Sequence, residues 1–132
     1  MVTLERVGRL WIILWLPFVA GHELAHAVAA RALGHSARVS MIPPQTQVNY
    51  HGGRQTDAIV ISLAPTAIGL ILIIPLTLSA GAWFVSLAWV TSPVEVALFG
   101  YLFVGTVAFT TPSRGDLENV LEAAKSVAAT SR

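Results

Sequence analysis

The chain has 132 residues, of which 55% are hydrophobic and 11% are charged, whereas an average soluble domain is about 45–50% apolar and about 25% charged. This composition predicts one membrane domain over residues 1–132, because each helical span needs about 20 apolar residues. Eight basic and seven acidic residues give a formal charge of +1 with no basic block, so no nucleic-acid partner is expected. Cysteine is absent, which excludes disulfides, thiolate metal sites and a cysteine nucleophile.

Three apolar segments predict transmembrane helices, because each is long enough to cross a bilayer at a rise of about 1.5 Å per residue. They cover about residues 10–33, 58–80 and 93–111. The third begins with a helix-start pattern, in which Ser92 is the N-cap and Glu95 completes a capping box. The second is expected to be capped by residue 56 or 57.

Two further segments are too polar to span a membrane. Residues 37–51 contain two short runs that favour β-strands, joined by Pro43, Pro44 and Gln45, and predict a hairpin. Residues 114–130 have apolar residues at helical spacing with charges between them, which predicts an amphipathic helix. The expected fold is therefore an all-α membrane protein with about three transmembrane helices, a small β-hairpin after the first and a C-terminal amphipathic helix.

The distribution of basic residues predicts the orientation of these spans. Three spans place residues 34–57 and the C-terminus on the same side of the membrane, and an excess of Lys and Arg marks the cytoplasmic side. We therefore expect a multi-pass protein of the cell membrane with a cytoplasmic C-terminus. The basic residues of this side are Arg31, Arg38, Arg54, Arg114, Lys125 and Arg132, and those of the opposite side are Arg6 and Arg9.

One motif carries the chemistry of the chain, His22-Glu23-Leu24-Ala25-His26. Positions four apart lie on one face of a helix, so His22 and His26 can bind one Zn²⁺ while Glu23 acts as the catalytic acid and base. Ionisable residues are costly inside a membrane span unless they are satisfied, and they are by default taken to mark a functional site. The sequence therefore predicts a zinc cofactor, bound near the cytoplasmic end of the first span.

A catalytic zinc site needs a third protein ligand and one open position. Asp116 is the preferred candidate, because it directly follows the third span on the same side of the membrane as the histidines. Asp116 also forms a predicted capping box with Ser113, and the two roles are compatible. The alternative ligands are Asp57, which is also a candidate helix cap, His51 and His35 in or near the hairpin, and Glu95 on the opposite side.

The segment Gly21-His22-Glu23-Leu24-Ala25-His26-Ala27 resembles the zinc-binding helix of the site-2 protease family of intramembrane metalloproteases, or of a small zincin relative. In that family a β-sheet follows the first core helix, and an aspartate of a later helix completes the metal site. Residues 37–51 and Asp116 have similar places in the order of this chain. Leu63-Ala64-Pro65 is similar to the Gly-Pro segment of the family's next core helix, although Ile68 stands where the family has Asn.

The motif and the resemblance imply hydrolysis of peptide bonds, with Glu23 taking a proton from the attacking water and passing it to the leaving amine. The expected substrate is a membrane protein or peptide in the lipid bilayer. It must unwind locally, because the carbonyls of a helix are already hydrogen-bonded. The hairpin would then bind the extended substrate as an added strand. A homo-oligomer or a regulatory membrane partner is a further expectation.

Three other classes of protein stay open on the sequence alone. A non-catalytic zinc-binding membrane adaptor or regulatory protein would use the same ligands but would not need Glu23. A membrane structural or assembly protein would bind no metal. An aspartyl intramembrane protease would pair Asp57 with Asp116, but Ser113 stands where its Gly-x-Gly-Asp motif has glycine.

Overall fold

The computed structural model of the protein describes residues 4–41, 44–50, 52, 55–86 and 92–130. These residues form four helices and one two-stranded antiparallel hairpin, which confirms the mostly helical fold and the position of the hairpin after the first helix. The elements, in chain order, are α1 (Leu4–Ala32), β1 (Ser36–Met41), β2 (Pro44–Asn49), α2 (Gln55–Ser86), α3 (Pro93–Thr110) and α4 (Arg114–Thr130).

Helix α1 ends in a Schellman turn that leads the chain into the hairpin. The amide of His35 donates to the carbonyl of Ala30 at 2.9 Å, and the amide of Gly34 donates to Arg31 at 3.0 Å, the two bonds that define this motif. Gly34 has a φ of +85°, a left-handed conformation that glycine adopts without steric cost. The turn brings β1 back alongside the C-terminal half of α1.

The hairpin differs from its prediction in the position of the turn. Met41 pairs with Pro44, so Pro44 and Gln45 belong to β2 and not to the connection, and Pro43 lies outside the described residues. Proline has no N–H group to donate to the neighbouring strand, and it is tolerated at the first residue of a strand because few interstrand hydrogen bonds are lost there. The hydroxyl of Thr46 donates to the carbonyl of Glu23 at 2.7 Å, which fixes β2 against α1.

The helix starts were predicted with mixed success. At α3, the amide of Glu95 donates to the Ser92 hydroxyl at 3.3 Å, and the amide of Ser92 donates to the Glu95 carboxylate at 2.9 Å, so the predicted capping box is confirmed. At α2 the prediction was wrong, because the helix begins at Gln55 and both Thr56 and Asp57 lie in its first turn. A carboxylate in this turn is still favourable, since it faces the positive end of the helix dipole.

Two glycines allow the helices to approach closely. A Cβ at Gly69 of α2 would collide with the Thr110 side chain of α3, and a Cβ at Gly105 of α3 would collide with the Phe18 ring of α1. Small residues permit such short helix separations in membrane bundles. The second approach lies one turn before His22 on α1, and the two approaches bring α3 close to both α1 and α2.

Two stretches of the described residues are long and apolar enough to cross a membrane, Gln55–Trp83 and Pro93–Ala129. The second includes α3 and continues through the break at 111–113 into α4. This supports a membrane location by length and composition. Residues 87–91 lie outside the described part of the chain, and a span formed by α1 stays a prediction.

Candidate metal centre

Three predicted ligands converge in the folded chain. His22 and His26 lie one turn apart on α1, and Asp116 lies in the first turn of α4. The Nε2 atom of His22 is 3.3 Å from Oδ2 of Asp116, and Nε2 of His26 is 3.1 Å from Oδ1. Ligand atoms of all three side chains lie within 4.8 Å of one another, and each residue is at most 7% exposed. We call this group the three-residue centre.

The second nitrogen of each imidazole is anchored to the backbone of another helix. Nδ1 of His22 is 2.7 Å from the carbonyl oxygen of Phe109 in α3, and Nδ1 of His26 is 2.7 Å from that of Ile61 in α2. A carbonyl can only accept a hydrogen bond, so each Nδ1 carries the hydrogen and donates it. Metal-binding histidines usually have such an anchor, which fixes the orientation of the ring and directs the other nitrogen to the ion.

Asp116 forms the predicted capping box and also faces the two histidines, so its position is compatible with both predicted roles. Its amide donates to the Ser113 hydroxyl at 3.2 Å, and its Oδ2 accepts from the Ser113 amide at 2.8 Å. These two bonds form the capping box that starts α4. The box uses only one carboxylate oxygen, so Oδ1 remains directed at His26. The cap holds the carboxylate at the centre.

The three-residue centre brings together acceptor atoms, an arrangement that favours a cation between its members. With hydrogen on Nδ1, a neutral imidazole presents a lone pair at Nε2, and the facing carboxylate oxygens are also acceptors. Acceptors that face one another in a buried site repel. Extra protons on the histidines or a cation remove this conflict, and a cation satisfies His22, His26 and Asp116 together.

The spacing of the centre can be compared with that of a tetrahedral metal site. Bonds of about 2.0–2.1 Å in tetrahedral geometry place neighbouring ligand atoms about 3.3 Å apart. The two separations between histidine and carboxylate, 3.3 Å to Oδ2 and 3.1 Å to Oδ1, are close to this value, and all the ligand atoms of the group lie within 4.8 Å of one another. Two imidazoles and one carboxylate are a ligand set of catalytic zinc sites, in which the fourth position stays open.

A cavity of about 400 Å³ adjoins the centre, and Glu23 lines it together with His26 and Asp116. Glu23 is half-buried, so its carboxylate is accessible to water in the cavity. The hairpin side of the cavity is formed by the second strand and the residue that follows it. These lining residues are Gln45, Thr46, Val48 and Tyr50.

The structure does not bring the described alternative ligands into the centre. His35 is buried, and its Nε2 lies 3.0 Å from Oδ2 of Asp57, so these two residues pair with each other. Within the described residues, neither belongs to the group that could hold a metal ion. Glu95 is exposed and caps α3. His51 lies outside the described residues.

Sequence reasoning missed three polar residues that line the cavity, Tyr50, Ser62 and Asn119. Asn119 follows Asp116 by three positions and therefore shares its helix face, a spacing that could have indicated it. Partial burial raises the pKa of the Tyr50 phenol above its usual value, so Tyr50 is a neutral hydrogen-bond donor near neutral pH. No local pattern indicates Tyr50, because its place depends on how the hairpin packs.

Comparison of the chain with known protein families, with curated proteins and with solved structures finds no match. The resemblance to the site-2 protease family therefore stays a prediction. It depends on residues 21–27 and on the order of the elements along the chain.

Proposed function

We propose that the chain is a membrane-embedded zinc metalloprotease, similar to the site-2 protease family, that hydrolyses peptide bonds of membrane proteins within or next to the bilayer. The observation that carries the proposal is the convergence of His22, His26 and Asp116 beside a cavity that Glu23 also lines. A non-catalytic zinc-binding adaptor is disfavoured, because it would have no use for an accessible acid at this position.

The residues of the three-residue centre and Glu23 would have separate roles in hydrolysis. Zn²⁺ in such a site lowers the pKa of a water molecule and acts as a Lewis acid toward a carbonyl. His22, His26 and Asp116 would hold the ion. Glu23 would accept a proton from the attacking water and deliver it to the leaving amine as the peptide bond breaks. The proton is thus conserved, and Glu23 returns to its carboxylate form.

The second strand is the proposed binding site for the substrate. Residues of β2 line the cavity, whereas no described residue of β1 does, so β2 is the strand next to the centre. A peptide must be extended before water can attack it, because helical carbonyls are engaged. Pairing with β2 would hold an extended segment through its backbone, and Pro44 would end the pairing at one side.

The bilayer is the proposed environment of α2 and α3. Only 24% of the apolar window in Gln55–Trp83 and 11% of that in Pro93–Ala129 is buried, whereas the core helix of a soluble protein is buried on its apolar face. Large apolar side chains face outward along both helices, including Ile71, Leu78 and Val94. With α1 as a third span, the three-residue centre would lie near the cytoplasmic surface.

This orientation predicts the result of cysteine labelling. Because the chain has no cysteine, Arg114→Cys introduces a single thiol at a side chain that is 93% exposed. A membrane-impermeant maleimide should label it from the cytoplasm only, since α4 follows the third span on that side. Ser92→Cys, at the start of the same span, is the matched control and should be labelled from outside. Labelling of position 114 from outside would overturn the orientation.

The proposed cofactor predicts the metal content of the purified protein. Wild-type chain purified in mild detergent should contain about one zinc per chain, and His26→Ala and Asp116→Ala should contain little, because each removes one of three ligands. Elemental analysis measures this directly. His35→Ala is the matched control, since it removes a buried histidine that pairs with Asp57, and it should keep its zinc.

Three results would count against the proposal. Wild-type protein without zinc or another divalent metal would contradict the metal centre. Retention of zinc by Asp116→Ala would exclude Asp116 as the third ligand. Equal loss in His35→Ala would show that zinc content follows general folding and not these ligands.

A further inference from the structure

A buried proline lies in α2 close to the three-residue centre. In an α-helix the amide of each residue donates to the carbonyl four positions earlier, and for Pro65 that carbonyl belongs to Ile61. Proline has no N–H group, so Ile61 lacks this donor. Pro65 is the largest side chain that is fully buried among the described residues. The proline therefore leaves one carbonyl of α2 without its helical partner inside the fold.

His26 supplies the replacement donor. Its Nδ1 lies 2.7 Å from the Ile61 carbonyl oxygen, although the two residues are 35 positions apart and belong to different helices. A buried carbonyl without a donor is costly, and the imidazole removes that cost. In return, the carbonyl fixes the hydrogen on Nδ1 and directs Nε2 toward Asp116.

His22 is also anchored to a carbonyl that lacks its regular helical donor, although no proline is the cause. Nδ1 of His22 donates to the Phe109 carbonyl near the end of α3. The helical donor of that carbonyl would be the amide of Ser113, but this amide donates to Asp116 instead. Each of the two histidines is thus anchored to a carbonyl whose regular helical donor is missing or diverted.

We infer that Pro65 is a positioning residue of the metal centre. By removing one N–H group it reserves the Ile61 carbonyl for His26, and so holds the imidazole in the tautomer that binds metal through Nε2. The inference rests on the proposed function, because the ion is what this orientation serves. Pro75, which also lies inside α2, leaves the carbonyl of Ile71 without its donor, and Ile71 is 70% exposed, so Pro75 provides a matched control.

The test compares an amide with an ester at the same position. Pro65→Ala restores the N–H group, whereas lactic acid at position 65 has the alanine side chain but an ester oxygen in place of N–H. Both lack the ring, so they share any effect of packing. We expect Pro65→Ala to weaken zinc binding by about 10- to 100-fold, the usual loss when the partner of a metal-binding histidine is disturbed.

The measurement is the dissociation constant for Zn²⁺ alone, obtained by competition with a chelator, on full-length chain in detergent. Wild type, the lactic acid variant and Pro75→Ala should bind with similar affinity. The inference would be overturned if alanine and lactic acid at position 65 weakened zinc binding equally, or if neither weakened it. Either result would leave the proposed metal centre intact. Absence of zinc binding by the wild type would overturn the proposed function itself. If Pro65→Ala does not fold, wild-type affinity of the lactic acid variant supports the inference and reduced affinity contradicts it.

Discussion

Glu23→Gln is expected to retain zinc and to lower the rate of peptide hydrolysis by about 10²- to 10⁴-fold, the range that general acid–base catalysis contributes. Glutamine has nearly the size of glutamate but cannot accept a proton. The zinc ligands should be unaffected, because Glu23 is not a member of the three-residue centre. The variant thus separates binding of the ion from transfer of the proton.

The measurement is cleavage of a membrane-protein substrate in detergent or liposomes, with zinc content determined on the same preparation. Glu118→Gln is the control, since Glu118 is an exposed acid that pairs with Arg114 on the surface of α4. Its activity should equal that of the wild type. Turnover of Glu23→Gln near the wild-type rate would mean that another group handles the proton, and loss of zinc would mean that Glu23 is itself a ligand.

The second large effect concerns the two roles of Asp116. Asp116→Asn should weaken zinc binding by more than about 100-fold, because loss of a direct ligand exceeds the roughly 10- to 100-fold loss caused by its supporting partners. The amide oxygen of asparagine can still accept from the Ser113 amide, so the capping box is retained and α4 should remain folded. The variant therefore removes the anionic ligand and keeps the cap.

Ser113→Ala weakens the cap of α4 and keeps the anionic side chain of Asp116. It removes the hydroxyl that accepts from the Asp116 amide and should lower the free energy of unfolding by about 1 kcal/mol, the usual cost of a lost N-cap. Zinc affinity should change far less than in Asp116→Asn. Chelator competition and thermal unfolding measure the two effects. The interpretation fails if Ser113→Ala loses zinc as fully as Asp116→Asn, since Asp116 would then act only through the cap.

Interactions between residues close together in the sequence made most of the helices and the hairpin predictable. The spacing of His22 and His26 depends only on the helical repeat, and the capping box at Ser92 depends on residues three apart. Asp116 was predicted from the order of spans and the side of the membrane, which are also properties of the linear chain. The structure brings His22, His26 and Asp116 together and forms the capping box at Ser92, whereas the number of spans and their orientation stay predictions.

Long-range packing accounts for what the sequence did not reveal. The anchors of the two histidines are backbone carbonyls. Pro65 frees the carbonyl of Ile61, but Pro75 frees another in the same way, so the sequence does not show which carbonyl a histidine reaches. The place of Tyr50 in the cavity depends on the docking of β2 against α1 through Thr46. The turn of the hairpin was misplaced because Pro44 was taken as a breaker, whereas it begins a strand.

The three-residue centre and its backbone anchors come from four different helices. The two histidines belong to α1, their backbone partners to α2 and α3, and the third ligand to α4. A nascent chain that has formed α1 but has not yet packed its helices would hold the two histidines on one face, without their anchors and without Asp116. On the proposed function, hydrolytic capacity would arise only at the last stage of assembly, and incompletely folded copies would be harmless to neighbouring proteins in the same bilayer.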